Sequence, residues 1–160
     1  MGGLDLGLKG AISLIDANRE RVFHIQPLPY VMVQVGKKQR RRLDYELFYD
    51  TIALLSGFDV ELWGWEIPGV GYGAGGRELG EIVGAWRMLI HAQRLRQEKV
   101  SPAQWKRELK VPADKIEACL RAEALFPHDR EKLKGTKGGR ADGKAEAAMI
   151  ALYTARKFMK

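Results

Sequence analysis

The sequence holds one cysteine, Cys119, among 160 residues. An internal disulfide is therefore excluded, the chain reads as intracellular, and Cys119 is expected as a small buried apolar side chain. No apolar run approaches the roughly 20 residues that span a bilayer. The N-terminus lacks the basic and then apolar segments of a secretory signal, so no membrane partner is expected. There is no internal repeat and no sign of a second domain; the length fits one domain, at about 100–200 residues each. The histidines His24, His91 and His128 form no pair with metal-ligand spacing, and all are expected to be structural.

Hydrophobic residues make up 46% and charged residues 29% of the chain, and 27 basic against 20 acidic residues leave a net charge of +7. The first balance supports a core and excludes disorder. The second points to a polyanionic partner.

Short apolar segments at Gly2 to Leu6 and Gly10 to Ile15, a turn at 17–20 and alternation through Val22, His24 and Gln26 predict a three-stranded antiparallel meander, ended by Pro27 and Pro29. The run Lys37 to Arg42 is too charged for a core and is expected as a solvated loop or helix approach. Leu43, Leu47, Phe48, Ile52 and Leu55 have helical spacing, with Gly57 as the stop. Phe58 to Glu66 predicts a fourth strand, with Trp63 and Trp65 in the core. A glycine-rich loop, Pro68 to Gly76, precedes a helix carrying Leu79, Ile82, Trp86, Leu89 and Ile90. A fifth strand is expected near Glu98 to Val100, and Ser101-Pro102-Ala103-Gln104 has the form of a capped helix start. Further helices are expected from Ile116 to Leu125 and from Asp142 towards Lys157, separated by a basic, glycine-rich stretch. This order predicts an α/β domain with one mixed sheet covered by helices.

Among the acids, Asp5 lies in the first strand, Glu66 ends the fourth, and Asp142 and Glu146 stand four apart on the last helix. With Ala145 at the origin of a helical wheel, Ala148, Met149 and Leu152 form the buried stripe, and Asp142 and Glu146 fall at about 60° and 100°, on its border. Residues four apart are neighbours, so both carboxylates are expected to reach one ion. Carboxylates gathered without cations raise one another's pKa. Two divalent ions would relieve that, and oxygen ligands suit Mg²⁺ or Mn²⁺ rather than zinc. Such a pair of ions supports phosphodiester hydrolysis, and the net positive charge fits the same substrate class. Each acid also has a plainer role: Asp5 as a turn acceptor, Glu66 as a solvated strand end, Asp142 as a helix cap, Glu146 as an exposed helical residue.

Four segments, in order, resemble one family. Gly3-Leu4-Asp5-Leu6-Gly7-Leu8-Lys9-Gly10-Ala11 resembles the opening strand of RuvC-like Holliday junction resolvases. Trp65-Glu66 with its glycine loop resembles their second acidic site. Ser101-Pro102-Ala103-Gln104-Trp105-Lys106 is similar to the Pro-x-x-Trp-Lys segment of the phage-type branch, and Gly139 to Ala151 resembles the closing acidic helix. The matches run from about residue 2 to 155. They imply an RNase H-like fold, with a mixed five-stranded sheet of three antiparallel and then two parallel strands flanked by helices. They also imply a homodimer that cuts four-way DNA junctions with two Mg²⁺ per active site, Mn²⁺ substituting. Asp5, Glu66, Asp142 and Glu146 would be the metal ligands, and Lys106 would stand near the scissile phosphate. Two positions depart from the family: Glu146, often aspartate, has a longer reach, and Leu6 is often proline. The resemblance places the chain in the cytoplasm, bacterial or phage-encoded, with an organelle as the alternative.

Lys9, Arg40, Arg41, Arg42, Lys134, Lys137 and Arg140 are expected to contact phosphates, or to be solvated surface. Tyr72 or Ile67, in the glycine loop, is expected to stack on an unpaired base or to lie on the surface without a partner. The helix with Leu79 to Ile90 is the candidate dimer interface, with Gly80 and Gly84 allowing close approach and Trp86 as an anchor, unless it only packs on its own sheet. The competing readings are a nuclease for RNA–DNA hybrids, a non-catalytic module that binds branched DNA, and an ATP-binding protein of the sugar-kinase and actin type. The last shares the Gly3 to Gly7 pattern but needs two such domains.

Overall fold

The computed structural model of the chain describes residues 1–66, 76–135 and 138–159. In chain order the strands are β1 (Gly2–Asp5), β2 (Ala11–Asp16), β3 (Arg21–Pro27), β4 (Tyr30–Val35), β5 (Lys38–Leu43), β6 (Trp63–Glu66) and β7 (Gln97–Val100). The helices are α1 (Tyr45–Ser56), α2 (Gly76–Ala92), α3 (Pro102–Glu108), α4 (Lys115–Leu125) and α5 (Asp142–Phe158), with a 3₁₀ turn at Arg130–Leu133.

Five strands form one sheet in the order β3-β2-β1-β6-β7. The β1–β2 and β2–β3 pairs are antiparallel; β1–β6 and β6–β7 are parallel. This is the mixed sheet expected from the sequence. The parallel neighbours require crossover connections, which contain α1 and α2.

Strand alternation sorts side chains onto two faces. Leu4, Ile12, Leu14, Trp63 and Trp65 join a core with Phe48, Ile52 and Leu55 of α1 and Ile82, Trp86 and Leu89 of α2. Ile15, Val22 and Val100 join the opposite core, with Trp105, Cys119, Ala122, Phe126 and much of α5. Trp63, Trp65 and Cys119 are buried as expected.

α5 lies unusually close to the sheet. A Cβ at Gly3 would overlap the Ala147 carbonyl oxygen, one at Gly64 the Thr154 hydroxyl, and one at Gly143 the Lys9 carbonyl oxygen. The stripe facing the sheet is therefore Gly143, Ala147, Ala151 and Thr154, which a search for large apolar residues does not mark. The stripe of Ala145, Ala148, Met149 and Leu152 is buried too, as are Ile150 and Tyr153. Helix α5 is thus covered nearly all round along its middle, by the sheet and by α4.

Several expectations need correction. The run Lys37 to Arg42 is no loop or helix approach: Lys38–Leu43 is β5, which pairs with β4 in a separate two-stranded hairpin, turning at Gly36 with φ +60°. Charge did not prevent a strand there, because only Leu43 of β5 is buried. The fourth sheet strand starts at Trp63, not Phe58; Phe58 is exposed and Asp59 has φ +54°, which breaks extended backbone. Trp86 cannot anchor an outside partner, since it is fully buried with its ring 5.7 Å from that of Trp63. Gly80 and Gly84 do face open space, beside exposed Met88. Ser101 begins α3 without a side-chain cap bond. Ile67 and Tyr72, with most of the glycine loop, and Lys137 lie outside the described residues. Among the described residues no helix is long and apolar enough to cross a membrane.

Replacing Gly3 with alanine should push α5 off β1. We expect a loss of about 2 kcal/mol or more in urea unfolding, typical of overpacking; unchanged stability would contradict this packing.

Candidate active site

The close seating of α5 brings its N-terminal end to one end of β1 and β6. Gly3 faces α5, and so does Asp5, two residues on. Gly64 faces α5, and Glu66 follows by the same parity. β1 and β6 are parallel, with Leu4 opposite Trp65, so Asp5 and Glu66 leave the sheet at the same end. Asp142 opens α5, and Glu146 lies one turn further on. All four acids thus lie towards one end of the sheet, near enough for the charges of Glu66, Asp142 and Glu146 to act on Asp5.

Each acid is held by a donor of the protein. The Gly7 N–H donates to Asp5 Oδ1 at 2.9 Å. Trp105 Nε1 donates to Glu66 Oε2 at 2.7 Å. Lys106 Nζ donates to Glu146 Oε1 at 2.9 Å, and Lys115 Nζ to Asp142 Oδ2 at 2.8 Å. Asp142 and Glu146 thus point to different lysines rather than to one shared point. Among the described residues no group of three His, Cys, Asp or Glu side chains is gathered tightly enough to hold a metal ion.

The charges nevertheless feel one another. Burial raises the Asp5 pKa to about 7; the Gly7 N–H opposes this, and the charges of Glu146, Glu66 and Asp142 add to it. Burial also raises Glu66, against the Trp105 bond and with the Glu146 charge. Burial alone would lower Lys106, but its bond to Glu146 and the charges of Glu146, Glu66 and Asp5 outweigh that and raise it. The bond from Lys115 holds Asp142 below the ordinary carboxylate range, aided by the Lys115 and Lys9 charges. The rim therefore carries a crowded set of carboxylates only partly balanced by lysine.

In chemical type that donor set fits a hard divalent cation: four carboxylates, no thiolate and no imidazole, with Asp5 driven towards protonation first by burial and then by the neighbouring carboxylate charges.

The plainer roles are partly real. Asp5 does accept a turn bond, but Asp142 is not the helix cap, which is Ala141. Three contributors escaped the sequence reading as site residues. Trp105, within the Pro-x-x-Trp-Lys segment, fixes Glu66. Lys115 precedes the expected helix start at Ile116, and the Asp114 side chain accepting from the Ile116 and Glu117 N–H groups marks the true start. Tyr30 Oη donates to the Gly7 carbonyl oxygen at 2.6 Å, bracing the turn that holds Asp5.

The expected phosphate contacts divide. Arg40 pairs with Glu78 at 3.3 Å, Arg42 with Glu81 at 2.6 Å, and Lys134 with Glu131 at 2.6 Å. Lys9, Arg41 and Arg140 are exposed and make no ion pair among the described residues. His24 bonds Gln26 at 2.9 Å, while His91 and His128 are exposed, away from any such cluster.

The sheet order β3-β2-β1-β6-β7 with helices on both faces is that of an RNase H-like α/β fold. Neither a protein-family model nor a curated protein matches the chain. Its structure is similar to that of Thermus thermophilus RuvC in complex with a Holliday junction substrate, with TM-score 0.62 and 16% identity over 98% of this chain and 95% of that one. A second Thermus thermophilus RuvC structure matches with TM-score 0.54 and 17% identity, over 97% and 94% of the two chains.

The raised Asp5 pKa has a definite sign. A carboxyl whose pKa rises on folding contributes stability below about pH 4 and loses it as the pH climbs through 7. Asp5→Asn keeps an acceptor for Gly7 and cannot ionise. Without divalent cations, we expect it to match the parent near pH 4 and to be more stable at pH 8, by at most about 4 kcal/mol. Urea unfolding across that range checks this; an advantage that does not grow with pH would contradict it.

Proposed function

We propose that the chain is a structure-selective DNA endonuclease that resolves four-way junctions by paired, symmetric, Mg²⁺-dependent phosphodiester hydrolysis. The observation that carries this reading is the convergence of Asp5, Glu66, Asp142 and Glu146 from β1, β6 and α5 at one end of the sheet. The full-length fold likeness to a resolvase bound to its junction supports it. The Pro-x-x-Trp-Lys segment, with Trp105 on Glu66 and Lys106 on Glu146, supports the phage-type branch.

In this reading the four carboxylates are the metal ligands, and two Mg²⁺, or Mn²⁺ in their place, would activate water and neutralise charge on the phosphodiester. Trp105 fixes one Glu66 oxygen and leaves the other free to bind. Glu146, released from Lys106, leaves that ammonium a short reach from the scissile phosphate, where it stabilises developing negative charge. Lys115 is released from Asp142 in the same way. Gly7 and Tyr30 hold Asp5 in place throughout. The basic side chains add affinity through phosphates and no base reading. Symmetric cuts need a twofold dimer, and the open Gly80, Gly84 and Met88 face of α2 is the candidate contact. Resolving junctions belongs to DNA recombination and repair.

The test is incubation with a synthetic four-way junction, a linear duplex and an RNA–DNA hybrid, each with Mg²⁺ or EDTA. We expect metal-dependent paired nicks near the crossover. Alanine at Asp5 or Glu66 should abolish cutting and leave junction binding intact. Degradation of the hybrid alone, or cutting retained in either variant, would overturn the reading.

A further inference from the structure

The β4–β5 hairpin stands apart from the sheet, and its charges follow strand alternation. Cross-strand partners share a face. Val31 with Arg42, Val33 with Arg40 and Val35 with Lys38 make one face; Tyr30 with Leu43, Met32 with Arg41 and Gln34 with Gln39 make the other. On the first face Arg40 and Arg42 reach α2, where Glu78 and Glu81 accept them, with Arg42 also 3.8 Å from Glu78. These two arginines are struts: their charge is answered within the protein, and they fix the hairpin to α2.

Arg41 lies on the other face, its guanidinium 5.6 Å from the Tyr30 ring centre. It borders two adjoining cavities between the hairpin and the β1–β2 turn, of about 460 and 290 Å³. Lys9 lines both; the larger reaches round the hairpin to Lys38 and to Arg40, on the face opposite Arg41, where Glu78 holds Arg40. The one carboxylate there, Glu78, is occupied by the arginine struts. The groove thus presents Lys9, Lys38 and Arg41 with no acidic partner among the described residues. Its floor is the turn whose Gly7 carbonyl bonds Tyr30 and whose Gly7 N–H bonds Asp5.

We propose that this groove is a separate DNA subsite, gripping the sugar-phosphate backbone of a strand that continues from the carboxylate rim, with Lys9, Lys38 and Arg41 as its phosphate ligands. Charge favours that occupant: three cations without an ion pair among the described residues line the two cavities, and phosphate contacts dominate the binding of a nucleic-acid strand. Arg40 and Arg42 act as positioning residues that hold the arm, not as phosphate ligands. The inference rests on the nuclease reading only for the identity of the polyanion.

The experiment measures binding of a fluorescent four-way junction in EDTA, where no cutting intervenes, as a function of NaCl. The Lys9→Gln/Lys38→Gln/Arg41→Gln variant should lose at least about tenfold in affinity at 0.1 M salt, and its log–log salt slope should fall by about 2–3. Arg40→Gln/Arg42→Gln should lower the slope by less than about 1. An unchanged slope in the triple variant, or an equal drop in the double variant, overturns the proposal. The two ideas fail separately. Loss of the subsite leaves metal-dependent cutting by the parent chain untouched, whereas a chain that never cuts can still show the slope change.

Discussion

Helix α5 can sit on β1 and β6 only because the sheet presents no side chain at Gly3 and Gly64. Gly3 and Gly64 on the sheet, and Gly143, Ala147 and Ala151 on the helix, remove the atoms that would hold the two layers at an ordinary distance. The consequence is positional. An approach this close leaves little freedom for the helix to slide, so its first two turns stop where β1 and β6 end. Side chains that are remote in sequence, at 5, 66, 142 and 146, then share one rim. Tryptophans on the two faces do complementary work: Trp63 and Trp65 lock the far face to α1 and α2, and Trp105 locks the near face and reaches Glu66.

The rim this creates is electrostatically uncomfortable by itself. Asp5 and Glu66 are both pushed upward by burial and by neighbouring carboxylates, and the lysines of α3 and α4 offset only part of that. A purely structural network would be expected to satisfy its members; here Asp129 is the contrast. It is buried, but it accepts from both Arg21 and the Val22 N–H and pairs with Lys132 at 2.9 Å, and its carboxyl is held well below the usual range, by the Arg21 bond first. Asp129 is fully answered and tethers β3; Asp5 and Glu66 are left short of positive charge. Unbalanced acids of this kind are where function is expected.

Much of this was legible in the sequence. Alternation, helical spacing and turn residues predicted the five-stranded sheet and its helices, and Asp5, Glu66, Asp142 and Glu146 stood out by their positions at strand ends and a helix start. What escaped has physical reasons. The hairpin was hidden because local charge density was weighed above pairing, and a solvated ribbon tolerates arginine at every position. The split among Arg40, Arg41 and Arg42 depends on a period of two that shows only once the segment is known to be a strand. The sheet-facing stripe of α5 consists of glycine, alanine and threonine, so an apolar wheel selected the opposite side. Lys115 pairs with an acid 27 residues away, which no local pattern reveals. Trp86 was open to two readings, an outward anchor or packing on its own sheet, and the second holds: it lies on the inner stripe, where Trp63 receives it.

The most direct measurement is anomalous diffraction from crystals soaked in Mn²⁺. If the rim is a metal site, the ions will lie between Asp5 and Glu66 and draw Asp142 and Glu146 away from Lys115 and Lys106. Manganese bound elsewhere, or held by one of these acids alone with both lysine pairs intact, would contradict it.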